Sequence, residues 1–203
     1  MASTDPARAA MPRITRDSLM TLEAYARERP AFRARAVAHK RGRTVHLGEH
    51  VTLLFEDELT IRYQIQEMLR VEKMFEEAGI QDELDAYNPL VPDGSNLKAT
   101  MLIEYEDENA RREALARLKG IEDRVWLRVA GFDEVHAIAD EDLERETEQK
   151  TSSVHFLRFE LTSPMIAAFR QGADVAMGID HPAYQVSEPL SESARKALAA
   201  DFA

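Results

Sequence analysis

The sequence predicts an α+β fold: a mostly antiparallel or mixed sheet with packed helices, one of them long and central. Three observations carry this. Period-two apolar runs recur along the chain, at residues 45–55, 99–105, 124–129, 134–139, 154–161 and 174–178, which is the pattern of strands with one buried face. Helical segments fall between them at uneven intervals, without the regular strand–helix–strand alternation of a parallel sheet. The links are short and nothing repeats at a fixed period, so residues 14–203 read as a single globular domain of the 203-residue chain.

Residues 1–12 are rich in Ala, Ser, Pro and Thr without periodicity, so residues 1–13 are expected to form a flexible tail. Thr15 or Asp17 can cap a first helix through Glu28, and Pro30 suits the first turn of a second helix ending before Gly42. Val45 and Leu47, a break at Gly48, then Val51, Leu53 and Phe55 predict two short strands or one bent strand. Residues 58–78 give the longest helical signal, closed by Gly79, with Ile61, Ile65, Met68, Glu72 and Phe75 on one stripe. A loop over residues 88–96, a strand over 99–105 and a short helix over 109–119 follow. Residues 124–129 and 134–139 suit a hairpin turning near Gly131, leading into an acidic stretch over 140–148. A strand over 154–161, a helix beginning at Pro164, a strand over 174–178 and a closing helix over 191–202 complete the reading.

Charge is segregated. The chain carries 26 Lys and Arg against 37 Asp and Glu, a formal net charge of −11, yet residues 1–43 alone sum to +6 and the rest to −17. Such a body repels a polyanion, so nucleic acid is not expected as a partner. The basic side chains Arg27, Arg29, Arg33, Arg35, Lys40, Arg41 and Arg43 read either as a solvated helical face paired with the acidic body or as a docking face for an acidic protein. No run approaches the roughly 18 apolar residues of a membrane span, and no secretory apolar core opens the chain. With no cysteine, thiol chemistry and thiolate-held clusters are excluded. A cytoplasmic, membrane-independent protein is expected.

Nucleotide-binding glycine loops, the nucleophile elbow and the zinc-protease helix are all missing, so the candidates are scattered polar residues. Glu72 stands in an apolar helical stripe, where a buried carboxylate needs a cation, a donor or a metal; an Arg pair or a stripe ending at the surface is the more ordinary explanation, and a ligand or acid/base role the other. His155 shares its strand face with Leu157, Phe159 and Leu161 and points inward, as a core histidine or a ligand, while Arg158 and Glu160 share the other face as an ion-pair network. His46 and His50 lie four apart across Gly48, a spacing that is not helical here; with Glu56, Glu72 or His155 they could supply a nitrogen and oxygen site suited to iron, zinc or manganese. His181, between Asp180 and Pro182, reads as a turn residue or a pocket rim. Residues 88–96 read as a structured turn or a ligand loop, and Trp126 as a packed side chain.

The strings TIRYQIQEMLRVEKMFEEAGIQDELDAYNPLVPDGSNLKATMLIEYED at 60–107, GIEDRVW at 120–126, VHFLRFEL at 154–161 and MGIDHPAY at 177–184 resemble the bacterial domain-of-unknown-function family 3501, over about residues 14–184. The resemblance implies no activity or catalytic residue. It implies association, because genes of that family lie beside those for rubrerythrin-like di-iron proteins and iron–sulfur oxidoreductases. Three functions are therefore expected in turn. The first is a cytoplasmic accessory or binding protein of redox metalloproteins in oxidative-stress or electron-transfer metabolism, with the 88–96 loop and the basic N-terminal segment as contact surfaces. The second is a metal-dependent enzyme or metal-binding protein using His46, His50, Glu72 and His155. The third is a small-acid or nucleotide-binding enzyme holding its anion through Arg124, Arg128 or Arg158.

Overall fold

The computed structural model describes residues 14–203, so the expected tail lies outside the described residues. In chain order the elements are helix α1 (Leu22–Arg41), strands β1 (Thr44–Leu47) and β2 (Val51–Glu56), helices α2 (Glu58–Val71) and α3 (Glu77–Tyr87), and strand β3 (Asn96–Ile103). Then come α4 (Glu108–Arg117), β4 (Val125–Val129), β5 (Val135–His136), β6 (Ile138–Ala139), β7 (Val154–Glu160), α5 (Ser163–Arg170), β8 (Val175–His181), β9 (Tyr184–Pro189) and α6 (Glu192–Ala199). The strands form two sheets, ordered β1-β2-β3-β7-β6 and β5-β4-β8-β9. Every pairing among the described residues is antiparallel, and the α+β class is as the sequence predicts.

Strand alternation builds the main core. Leu97, Ala99, Met101 and Ile103 of β3, with Leu53 and Phe55 of β2 and Leu157 and Phe159 of β7, face Val125, Leu127 and Val129 of β4 and Val175, Met177 and Ile179 of β8. Helices α4, α5 and α6 close this layer with Leu115, Phe169 and Leu198. A second apolar cluster joins Ile61, Ile65 and Leu69 of α2 to Ile80 and Leu84 of α3, and to Ile14 and Leu19. Helix α1 packs alongside α2, where Phe32 stacks on Tyr63 with ring centroids 6.0 Å apart.

Four expectations are corrected. The N-terminal helix pair is one helix, α1, with Pro30 inside it; Pro30 and Ala26 are both exposed, so the carbonyl that loses its amide partner lies on the solvent side, where water can replace the bond. The long helix over 58–78 stops at Val71. Lys73 takes φ +52° and Met74 donates back to the Leu69 carbonyl at 2.9 Å, so the chain reverses there and restarts as α3. Gly79 therefore lies inside α3, where an added Cβ would press on Met74 Sδ. The stretch over 134–139 divides between the sheets: β5 pairs with β4 and β6 with β7. Finally β8 continues through His181 into β9, a hairpin strand the sequence reading lacks.

The only tryptophan is packed as expected, in β4 and 6% exposed. Its ring lies against Gly178 of β8, where a methyl group would overlap Trp126 Cζ2 and the Val186 carbonyl.

Candidate functional site

His155 sits on the inward face of β7 and is wholly buried, as strand alternation predicts. Around it converge three residues from elsewhere in the sequence. Asp140 follows β6 directly, at φ +48°, and its Oδ2 lies 2.6 Å from His155 Nδ1. The other carboxylate oxygen accepts from the Phe156 amide at 2.9 Å and from Arg145 at 3.1 Å. On the far side of the ring, His155 Nε2 meets Thr151 Oγ1 and the Ser152 carbonyl, each at 3.0 Å. Thr151 donates to Glu122 Oε2 at 3.3 Å, and that oxygen is 3.8 Å from His155 Nε2. Glu122 comes from a single 3-10 turn, Glu122–Arg124, ahead of β4.

Among the described residues, Glu122, Asp140 and His155 are the one group of three whose ligand-type atoms lie within 4.8 Å of one another. The two carboxylates flank opposite edges of the imidazole, and both ring nitrogens already face protein oxygens. Arg145 completes the arrangement, gripping Asp142 through both oxygens at 2.5 and 2.6 Å and covering the Phe156 ring at 4.6 Å; hydrogen bonding to Arg145 holds the Asp142 carboxyl below its usual range. The acidic stretch is thereby tied to the sheet at Asp140, and just beyond it the Thr151 amide bonds the Leu115 carbonyl of α4 at 3.1 Å.

The structure does not gather the four expected metal ligands. Glu72 caps the C-terminus of α2 and is exposed. His46 points to the face of its sheet opposite His155, because His46, Thr52, Leu102 and Val154 share one cross-strand row and Val45, Leu53, Met101 and His155 the next. His46 Nδ1 contacts Thr52 Oγ1 at 3.1 Å, and Thr52 donates to Glu104 at 2.7 Å. His50 donates from Nδ1 to the Glu104 carbonyl at 3.0 Å and stacks on Tyr105, ring centroids 3.8 Å apart. It lines an open groove of about 920 Å³ with Glu49, Glu104, Glu106 and Arg111. Glu56 is bonded by Thr60 and Thr100, and His181 bridges the Lys119 carbonyl and the Ala183 amide within its turn.

Two further surfaces stand out. Pro89 and Leu90, from the 88–96 loop, line a groove of about 280 Å³ with Lys98, Glu141, Phe156 and Arg158. Arg158 is held there by Glu141 at 2.8 Å and by Glu160, the expected ion-pair network. The exposed side of α1 carries Arg27, Arg33 and Arg41, with no carboxylate paired to them among the described residues, whereas Arg29 binds Glu67 and Arg43 is buried against Asp201 and Asp57.

Sequence reasoning missed Glu122, Asp140 and Thr151. The one local signal is Asp140 itself, which follows an apolar strand without any intervening turn residue.

A family model described as protein of unknown function (DUF3501) matches residues 13–202. A crystal structure of a novel protein of unknown function from Burkholderia pseudomallei K96243 is similar, with 60% sequence identity and a TM-score of 0.91, covering 95% of this chain and 100% of its own. No curated protein matches the chain. Among the described residues, no helix is long and apolar enough to cross a membrane.

Proposed function

The chain belongs to the family described as protein of unknown function (DUF3501), and from that premise we propose that it is a cytoplasmic accessory protein that docks onto redox metalloproteins of the rubrerythrin-like and iron–sulfur oxidoreductase kinds. The observation that supports this reading is the basic face of α1, whose Arg27, Arg33 and Arg41 have no carboxylate partner among the described residues, on a chain of net charge −11. Cations left unmatched by so many carboxylates suit an acidic protein surface, which they steer and orient more than they tighten. The partner classes come from the family resemblance, and the closed state of the His155 cluster fits a protein whose working surface is external. Binding of the purified partners, measured by calorimetry in low and high salt, tests it. Association that weakens with salt and falls roughly tenfold in the triple variant Arg27→Glu, Arg33→Glu, Arg41→Glu is expected; no association with either class overturns the proposal.

A second reading is favoured by one observation, the close approach of the Glu122, Asp140 and His155 ligand atoms. Two carboxylates and an imidazole suit iron, zinc or manganese. For one ion to touch all three, His155 would have to surrender Asp140 or Ser152 as a hydrogen-bond partner. Elemental analysis of protein purified without a metal-binding tag decides it: near-stoichiometric metal that is lost in Glu122→Gln supports a metal centre, and metal-free protein of native stability removes it.

A further inference from the structure

Lys98 occupies an unusual position for an ammonium group. It stands mid-strand in β3, on the face of the sheet away from the core, with Glu56 in register on one side and Arg158 on the other. Neither neighbour compensates it. The Glu56 carboxylate is taken by Thr60 and Thr100, and Arg158, a like charge, is bound by Glu141 and Glu160. Among the described residues no carboxylate comes within the 4.0 Å of an ion pair, and the Lys98 amine donates instead to the Pro89 carbonyl. The side chain is half-buried, and it lines the groove of about 280 Å³ whose apolar wall is Leu90, Phe156 and Leu157.

We propose that Lys98 is a nucleophilic amine that condenses with a short, neutral aldehyde seated in this groove. Amines become nucleophilic in proteins when they are desolvated or placed beside another cation, and Lys98 has both conditions. Burial pushes its pKa down; Asp93 opposes this, Arg158 adds to it, and Glu141 and Glu160 oppose it in turn, with the net direction downward. The ammonium sheds a proton to solvent, since Glu141 and Asp142 on the same wall are held ionised by Arg158 and Arg145. Its lone pair then adds to the carbonyl carbon, the carbonyl π pair moves to oxygen, and one N–H proton follows to that oxygen. Loss of water from this carbinolamine leaves a C=N bond to Lys98, with no oxidant or reductant consumed. The same carboxylates disfavour an oxo acid, whose own charge they would repel, and the groove lies at the small end of ligand pockets, which run from roughly 300 to 1,000 Å³.

The test is reductive trapping on the full chain, using propanal and sodium cyanoborohydride at several pH values, with peptide mapping of each lysine. At neutral pH, Lys98 should be labelled at least about tenfold faster than the exposed Lys73 and Lys196, its labelling should rise at lower pH than theirs, and glyoxylate should label it more slowly than propanal. In Arg158→Gln the preference for Lys98 should shrink while Lys73 and Lys196 are unchanged. Labelling of Lys98 no faster than of the exposed lysines in natively folded protein overturns the proposal, and a preference for glyoxylate overturns the choice of a neutral ligand. Neither outcome bears on docking through α1, which is read out by binding alone.

Discussion

Asp140 grips His155 at 2.6 Å from a backbone held at φ +48°, a conformation that costs a non-glycine residue of order 1–3 kcal/mol. The side-chain bonds therefore hold in place the strain they sit on. Asp140→Ala keeps the unfavourable backbone and deletes the acceptor for His155, Phe156 and Arg145, so a loss of about 2–4 kcal/mol is expected. Asp140→Gly should recover about 1 kcal/mol of that. Urea midpoints at unchanged m-value measure both; equal destabilisation by the two variants would show that the bonds alone matter.

Arg43 is 2% exposed and bonds the carbonyls of Phe55, Glu56 and Ala197 as well as Asp201. Arg43→Met strands the buried Asp201 and is expected to cost roughly 3–5 kcal/mol, much of it regained in Arg43→Met with Asp201→Leu. Thermal melts of the two single variants and the double variant test this by their non-additivity.

Two carboxyls should shape the acid limb of the stability profile in opposite senses. Hydrogen bonding to Arg29, assisted by Tyr25 and Arg70, holds Glu67 down at about 2; its contribution is present above pH 4.5 and is lost as pH falls toward 2. Burial raises Asp201 to about 6 despite Arg43, so its contribution is full below its ordinary 3.8 and is lost as pH rises through 6. Glu67→Gln should flatten the profile below pH 4.5, and Asp201→Asn should flatten it between about 4 and 6. Stability measured by denaturant titration at fixed ionic strength across pH 2–7 separates them.

Gly178→Ala forces a methyl into Trp126 and the Val186 carbonyl, both held within one sheet. A loss of about 1–3 kcal/mol or more is expected, accompanied by a shift in the fluorescence of the single tryptophan. An unchanged emission spectrum would mean that the indole stays in place and the β8 and β9 backbone absorbs the methyl.

Glu72→Ala should leave stability within about 0.5 kcal/mol and the metal content of the purified protein unchanged, because Glu72 is exposed at a helix end. A change in either would return Glu72 to the list of ligands.

The inward turn of His155 and the paired Arg158 and Glu160 were legible because a strand alternates strictly and β7 is long enough to show it. The partners of His155 were not, since Asp140 opens an acidic run that reads as coil or helix and Glu122 sits on one turn of 3-10 helix; only tertiary folding brings them together. Glu72 misled for a local reason. The stripe through Ile61, Ile65 and Met68 extrapolates smoothly to Phe75, but Lys73 enters the left-handed region without a glycine to announce it, and Phe75 emerges 72% exposed. Strand β9 escaped because only Tyr184 and Val186 alternate before Glu188 and Pro189 end the pattern.

The Arg43 clamp also sets an order of events during synthesis. Arg43 and Asp201 are 158 positions apart, and the Gly94 carbonyl accepts from the Ala203 amide. A chain emerging from the ribosome N-terminus first can pair β1 with β2 early, yet it carries a desolvation-prone guanidinium with no home until residues 197–203 have left the exit tunnel. Native closure is therefore a late step, and nascent chains from which residues 197–203 have not yet emerged should remain sensitive to protease at the β1 edge.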